Sequence, residues 1–170
     1  LYQLRRGLYA PAPPYQKTEP HPFLIANRLV HGSYVSLHSA LALAHLIPEY
    51  VPVVTSVTTG RPGVRDTPFG RFEYRHVKPE WLFGYDVMDI GDDRQAFVAT
   101  PEKALMDLIY LEPGGDHQDF LQALRLQHLY KLDPDRLQAI ADRLHKPNVY
   151  RALDCIVRLM AEESEVFETL

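Results

Sequence analysis

Three histidines have a spacing that suggests metal chemistry. His31, His38 and His45 follow one another at intervals of seven residues, and imidazole is a common zinc ligand. On a continuous helix, seven residues span about 10.5 Å, which is too far for two such side chains to share one ion. His31 also precedes Gly32 and an expected helix start. The spacing therefore favours ordinary histidines, and we predict neither a metal nor a cofactor.

A set of acidic residues with a lysine could perform metal-dependent nuclease chemistry. Asp86, Asp89, Glu102 and Lys103 are residue types that can hold a divalent cation and activate water. Acidic residues are also frequent in turns, and a glutamate at a helix start is stabilised by the helix dipole. Lys103 and Asp107 are one helical turn apart and can form an ion pair. We therefore expect a protein that is not an enzyme, with a metal-dependent nuclease or another nucleic-acid-processing enzyme as the alternative.

A turn at the end of an expected strand could bind an anion. Thr58, Thr59, Gly60 and Arg61 offer backbone N–H groups and a guanidinium. The segment has one glycine and lacks the lysine and hydroxyl pair of a P-loop, and Pro62 follows instead of a helix start. An ordinary turn is therefore favoured.

Composition indicates one cytoplasmic domain. The 170 residues are 46% hydrophobic, which is enough for a single core. Cys155 is the only cysteine, so no disulfide can form within the chain, and a packed thiol in a reducing compartment is expected. No apolar run is long enough to cross a bilayer, and we predict no membrane association. The net charge is −4, although residues 1–36 carry four basic side chains against one acidic side chain.

The hydrophobic pattern predicts strands in the middle of the chain and helices at its end. Ser36 is expected to cap a helix over residues 37–46 through its side-chain oxygen, and a strand is expected over residues 51–58. The expected hairpins pair 64–67 with 71–77 and 85–90 with 95–99, and the expected later helices begin at Pro101, Gln118 (to about 129), Pro134 and Pro147. We therefore predict an α+β fold with a mixed, largely antiparallel sheet that meanders, flanking helices and a C-terminal helical segment.

Four separated blocks carry a resemblance to a known family. They are ANRL at 26–29 with SYVSL at 33–37, LIP at 46–48 with VTSVTTGR at 54–61, TPFG at 67–70 with YRH at 74–76, and ATPEKALMD at 99–107. In this order, the blocks resemble the AbiEi-type antitoxins of bacterial abortive-infection systems, over about residues 1–125. Agreement of four blocks in order is more specific than any single motif in the chain.

The resemblance implies a bacterial regulator of a type IV toxin–antitoxin system that acts in phage defence. Such a protein neutralises a nucleotidyltransferase-like toxin and represses its own operon through an N-terminal winged helix-turn-helix that binds operator DNA. Because the chain begins with Leu1, we expect the helices that read DNA to lie upstream. We assign residues 1–14 to a remnant of the wing with its linker and residues 15–170 to the antitoxin domain. No catalytic residue is carried over, and homo-oligomerisation is left open.

Arg5 and Arg6 are the residues that we expect to contact DNA. They stand beside Gly7, and a basic pair next to a turn is how the wing of a winged helix contacts phosphate. In the family, they would be what remains of the wing. An ordinary strand with two solvated arginines is the alternative. Without the upstream helices, this chain alone is not expected to read a DNA sequence.

Trp81 and Phe83 belong to a segment that could bind a protein partner. The two rings alternate after Pro79 and stand near several basic residues. Rings that simply cover the sheet are the simpler interpretation, although large aromatic residues beside arginine also anchor protein interfaces. We predict that the partner-binding patch consists of Arg71, Arg75, Lys78, Trp81 and Phe83.

Overall fold

The fold was obtained as a computed structural model that describes residues 1–49 and 51–170. Its strands are β1 (Tyr2–Arg5), β2 (Leu8–Ala10), β3 (Tyr34–Val35), β4 (Val54–Thr58), β5 (Gly63–Thr67), β6 (Gly70–His76), β7 (Tyr85–Gly91) and β8 (Arg94–Ala99). Its α-helices are α1 (Pro22–Leu29), α2 (Leu37–Leu43), α3 (Pro101–Leu111), α4 (Gln118–Ala123), α5 (Pro134–Leu144) and α6 (Pro147–Glu168).

A mixed sheet organises most of these elements. Within the described part of the chain it has six strands in the order β5, β6, β4, β3, β8 and β7. The pairs β5–β6, β3–β4 and β7–β8 are antiparallel, whereas β4–β6 and β3–β8 are parallel. The predicted α+β class, with a mixed and largely antiparallel sheet and a C-terminal helix, is therefore confirmed.

The predicted simple meander is wrong, because β3 occupies the middle of the sheet. This two-residue strand pairs with β4 on one side and with β8 on the other. It was missed since two residues are too few to show a period of alternation. The two hairpins predicted around 68–70 and 91–94 form as β5–β6 and β7–β8, one at each end of the sheet.

Helix α1 was also missed from the sequence. Its N-cap is His21, whose Nδ1 accepts a hydrogen bond from Phe23 N at 3.1 Å. Pro22 at the first helical position is one start signal, but histidine is not among the preferred N-cap residues and the first turn contains no acidic side chain. The helix buries Ile25 and Leu29 against the sheet. The phenol of Tyr74 on β6 donates to the Ala26 carbonyl at 2.7 Å and so joins α1 to the sheet.

The C-terminal half is helical, as predicted, with one correction. Thr100 caps α3 by accepting from Lys103 N at 3.3 Å, and Asp133 caps α5 by accepting from Asp135 N at 2.9 Å. The predicted helix 118–129 is wrong in its length, since α4 ends at Ala123. Beyond α4 the backbone is pulled away from the helical path, because Gln127 N donates to the Leu46 carbonyl at 2.9 Å.

The N-terminal residues form a separate two-stranded hairpin. β1 and β2 pair in antiparallel fashion, and Gly7 turns the chain with a φ of +80°. A turn at Gly7 is what the sequence predicted. In the part of the chain that the structure describes, none of the helices has the length and apolar character needed to cross a membrane.

Candidate functional site

A charged pair is buried between α3 and the central strand β3. Lys103 and Asp107 are one turn apart on α3, and the predicted ion pair between their side chains is present. The Lys103 side chain is 0% exposed. Its ammonium also donates to the phenol oxygen of Tyr34 at 2.9 Å and to the carbonyl of Trp81 at 3.1 Å. An ammonium has three donors, so every donor of Lys103 is occupied.

The other side of the pair is completed by β3. Tyr34 and Ser36 are two residues apart, so their side chains lie on the same face of the extended backbone. The phenol of Tyr34 and the hydroxyl of Ser36 each donate to Asp107 Oδ2 at 2.8 Å. We call these four side chains, Tyr34, Ser36, Lys103 and Asp107, the buried network. It joins β3 to α3 at the centre of the molecule.

Ser36 stands at the N-cap position of α2, as predicted, but the capping bond predicted for its side chain is wrong. Helix α2 does begin at Leu37, but among the described residues the Ser36 side chain makes no capping bond. Its hydroxyl donates to Asp107 instead. A different pair holds the helix start, since Thr55 N donates to Ser39 Oγ at 2.9 Å and Ser39 N donates to Thr55 Oγ1 at 3.1 Å. The start of α2 is itself buried, and because Ser39 and Thr55 bond to each other there, the Ser36 hydroxyl is free to donate to the buried carboxylate.

Burial and the attraction between opposite charges shift the pKa values of Lys103 and Asp107 in opposite directions. Burial lowers the pKa of Lys103 and raises the pKa of Asp107, because each charged form loses its hydration. Their mutual attraction, and the hydrogen bonds that Tyr34 and Ser36 donate to Asp107, oppose these shifts. Burial, followed by the negative charge of Asp107, raises the pKa of Tyr34 far above its ordinary range. The arrangement holds two segments together and leaves no donor of Lys103 free for a substrate.

Aromatic residues cover the buried network on the side of β7. Two cations contact the ring of Phe83, with Lys103 Nζ 4.6 Å and the Arg143 guanidinium 3.7 Å from its centroid. Trp81 packs edge to face on Tyr110 with the ring centroids 4.0 Å apart. Cation–π contacts of this kind stabilise the charge of a lysine that is removed from water.

The predicted partner-binding patch does not form one surface of free side chains. Trp81 is 5% exposed, so its ring belongs to the core, in agreement with the simpler interpretation. Arg71 pairs with Asp66 at the far end of β5–β6. Arg75 donates to Glu112 Oε1 at 2.6 Å and to the Leu111 carbonyl at 2.9 Å. Lys78 is exposed and lies over the Trp81 ring, with its Nζ 5.7 Å from the centroid. Partner binding by these residues stays a prediction. In it, the buried Trp81 ring supports the exposed Lys78 that lies over it.

The two arginines predicted to contact DNA are placed differently. Arg5 faces the body of the protein, where its Nε donates to the Arg28 carbonyl at 3.1 Å and its Nη2 lies 2.6 Å from His31 Nε2. Because a guanidinium has only donors, His31 Nε2 accepts in this contact. Arg6 is exposed. Of the pair, Arg6 is therefore the residue that presents its charge to solvent.

The residues of the nuclease alternative are not brought together. Among the described residues, no group of three or more histidine, cysteine or acidic side chains is placed to hold a metal ion. Asp86 and Asp89 lie exposed on β7, and Asp89 Oδ1 accepts from Gly91 N at 2.8 Å. Glu102 is buried, and its Oε1 accepts from Asp133 N at 2.9 Å, which joins the start of α3 to the start of α5.

Sequence reasoning found half of the buried network and missed the other half. The Lys103 and Asp107 pair follows from their spacing on one helix. Tyr34 and Ser36 were missed because they lie 69 to 73 residues before their partners. The alternation of two hydroxyl side chains in SYVS was the only local signal, and it is weak.

Three blocks of the resemblance meet at the buried network. SYVSL supplies Tyr34 and Ser36, and ATPEKALMD supplies Lys103 and Asp107. VTSVTTGR contains β4, which pairs with β3. Next to this pairing, Ser36 N donates to the Thr55 carbonyl at 3.0 Å. Comparison of the chain with protein-family models, with curated proteins and with solved structures found no match.

Proposed function

We propose that this chain is the antitoxin domain of an AbiEi-type regulator, which neutralises a nucleotidyltransferase-like toxin and represses its own operon. One observation carries the proposal: blocks of the resemblance that are far apart in the sequence converge on the buried network of Tyr34, Ser36, Lys103 and Asp107. SYVSL and ATPEKALMD supply all four side chains, although 69 to 73 residues separate the bonded positions. Convergence supports a likeness of whole domains.

A recognition role fits the chemistry of the network. Its lysine has no free donor, and its carboxylate accepts from three side chains. Buried groups that are fully hydrogen-bonded specify one arrangement of the elements around them. The network therefore stabilises a scaffold, and binding belongs to the surface.

The antitoxin activity is tested by expression with the gene immediately downstream in the genome. Induction of that gene alone should arrest growth of a bacterial host, and expression of this protein beside it should restore colony formation. Lack of protection, at a level of folded protein equal to that of a protected control, would overturn the proposal.

One surface variant with a matched control tests the predicted patch. Lys78→Glu reverses an exposed charge over Trp81, and Lys17→Glu makes the same change at an exposed lysine of the N-terminal region. We expect Lys78→Glu to weaken protection and Lys17→Glu to retain it. Equal protection by both variants would remove this patch from the proposal.

The nuclease alternative makes an opposite prediction. Plasmid and RNA incubated with the protein and Mg²⁺ or Mn²⁺ should stay intact if the chain is an antitoxin. Cleavage that needs the metal, and that is lost in the variant Asp86→Asn with Asp89→Asn, would favour the enzyme. Both aspartates are exposed, so these changes should leave the fold intact.

A further inference from the structure

An open cleft of about 860 Å³ lies between the end of α1 and the β7–β8 hairpin. Its walls include Asn27, Arg28 and His31 on one side and Tyr85, Arg94 and Phe97 on the other. Pockets that bind small molecules have volumes of roughly 300 to 1,000 Å³. None of the four side chains of the buried network lines the cleft, although Tyr85 lies between the two, and the cleft has no part in the proposed antitoxin function.

Two aromatic rings in the cleft are exposed although the core is close by. Tyr85 is 39% exposed and Phe97 is 45% exposed. They meet edge to face with their centroids 5.7 Å apart. Tyr85 also stacks on Tyr34, with the centroids 4.8 Å apart and an angle of 17° between the rings. Because the buried network holds Tyr34 in place, the Tyr85 ring is fixed before any ligand arrives.

Positive charge surrounds these rings. Arg28 and Arg94 line the cleft and are both exposed, and neither has a salt bridge within the described residues. Asp93 is the acidic residue that faces them from the hairpin. The cleft thus offers two unpaired guanidinium groups against one carboxylate.

The two walls are joined by the amide of Asn27. Its Oδ1 accepts from Phe97 N at 2.7 Å, and its Nδ2 donates to the Phe97 carbonyl at 3.3 Å. This double contact fixes α1 to β8, so that the backbones of Arg28 and Phe97 keep their separation. A rigid cleft loses less conformational entropy when it binds a ligand.

We propose that the cleft binds a nucleotide unit, with its base against the rings of Tyr85 and Phe97 and its phosphate on Arg28 and Arg94. Every base has a π face that can stack on an aromatic side chain. A phosphate accepts paired hydrogen bonds from a guanidinium. A free nucleotide and one nucleotide of a single strand share this chemistry.

Binding of mant-ADP, measured by fluorescence anisotropy, tests the proposal on the full chain. We expect saturable binding that unlabelled ADP displaces and that ribose 5-phosphate displaces much less. Arg28→Gln and Arg94→Gln should each weaken binding about tenfold, because each removes a charge-assisted hydrogen bond. Phe97→Leu keeps an apolar side chain without the π face and should weaken binding about fivefold or more.

Matched controls lie on exposed sites away from the cleft. Arg158→Gln on α6 and Tyr130→Ala should leave the affinity for mant-ADP unchanged. The same unfolding midpoint for all variants shows that the fold is retained. A loss of affinity in these controls equal to the loss in the cleft variants would overturn the proposal.

A short oligo(dT) strand and the corresponding duplex identify the source of the nucleotide. Tighter binding of the single strand than of ADP assigns the cleft to single-stranded nucleic acid, and the reverse order assigns it to free nucleotides. Either order supports a nucleotide unit. Equal affinity for strand and duplex, equal displacement by ADP and ribose 5-phosphate, or no saturable binding of mant-ADP and oligo(dT) would overturn the proposal.

Discussion

The aliphatic stem of Lys103 lies directly against Gly84. A Cβ atom at position 84 would be 2.7 Å from Lys103 Cγ, and Gly84 has a φ of +74°. The Gly84 carbonyl accepts from Thr100 N at 2.9 Å, which keeps this glycine close to the start of α3. Gly84 therefore allows both the turn into β7 and the burial of Lys103.

Gly84→Ala should destabilise the protein strongly. The new methyl group clashes with the lysine stem, and the backbone conformation disfavours any residue with a Cβ, so we expect a loss of about 2 to 4 kcal/mol in the free energy of unfolding. Gly32→Ala is the matched control, since Gly32 has the same φ of +74° with open space around the Cβ position. Its loss should be about 1 kcal/mol, from backbone strain alone. Equal losses in urea unfolding would show that the contact with Lys103 is unimportant.

Removal of one partner from the buried pair should cost more than removal of both. Lys103→Met leaves the Asp107 carboxylate buried without its counter-charge, and we expect a loss of about 3 to 5 kcal/mol at neutral pH. The double variant Lys103→Met with Asp107→Leu should recover part of that loss, because no charge remains buried, whereas the hydroxyls of Tyr34 and Ser36 lose their acceptor. Denaturant unfolding of the three proteins measures the difference. A double variant no more stable than the single variant would contradict this account.

The penalty of Lys103→Met should also shrink at low pH. Burial raises the pKa of Asp107 above its unfolded value, and loss of the lysine removes the main opposing effect. A group with a raised folded pKa contributes stability that is present below the unfolded pKa and is lost as the pH rises through the folded pKa. The difference in unfolding free energy between wild type and variant should therefore decrease from pH 7 toward pH 4. A difference that stays constant over this range would exclude protonation of Asp107.

Tyr34 and Tyr74 should resist ionisation in alkali. Burial raises the pKa of both Tyr34 and Tyr74, and the charge of Asp107 raises that of Tyr34 further. Burial of the two neutral phenols contributes its full stability below about pH 10, where the phenols are neutral in the unfolded chain as well. This stability is lost as the pH rises further, because the unfolded phenols ionise first. Ultraviolet titration of phenolate should show a late step that coincides with unfolding and involves Tyr34 and Tyr74. Tyr74→Phe should reduce the amplitude of that step, and a single midpoint for all ten tyrosines would contradict it.

Local signals explain which elements could be predicted from the sequence. The hairpins β5–β6 and β7–β8 have turn residues between alternating strands, and α3 and α5 have a capping residue before a proline. Each of these signals lies within a few residues of the element that it specifies. For the same reason, the pair of Lys103 and Asp107 could be predicted from one helical turn.

The elements that could not be predicted depend on distant contacts. Strand β3 exists because β4 and β8 lie on either side of it, and α4 ends early because residues after it bond to the segment around Leu46. Trp81 illustrates the limit for the site. Lys78 lies three residues before it in the sequence, and basic residues near a large aromatic residue are frequent at interfaces, whereas in the structure its ring is buried and packs on Tyr110 of α3.

Arg5 and Arg6 should differ in their effects although they are adjacent. Arg5 donates to the Arg28 carbonyl and contacts His31, so Arg5→Gln should lower the free energy of unfolding by about 1 kcal/mol. Arg6 is exposed, and Arg6→Gln should leave stability unchanged. If Arg6 contacts phosphate, Arg6→Gln should also lower the number of counterions released on duplex binding by about one. Arg5→Gln should leave this number unchanged. Thermal unfolding and a salt titration of DNA binding measure both effects, and the opposite assignment of the two arginines would show that the hairpin docks differently in solution.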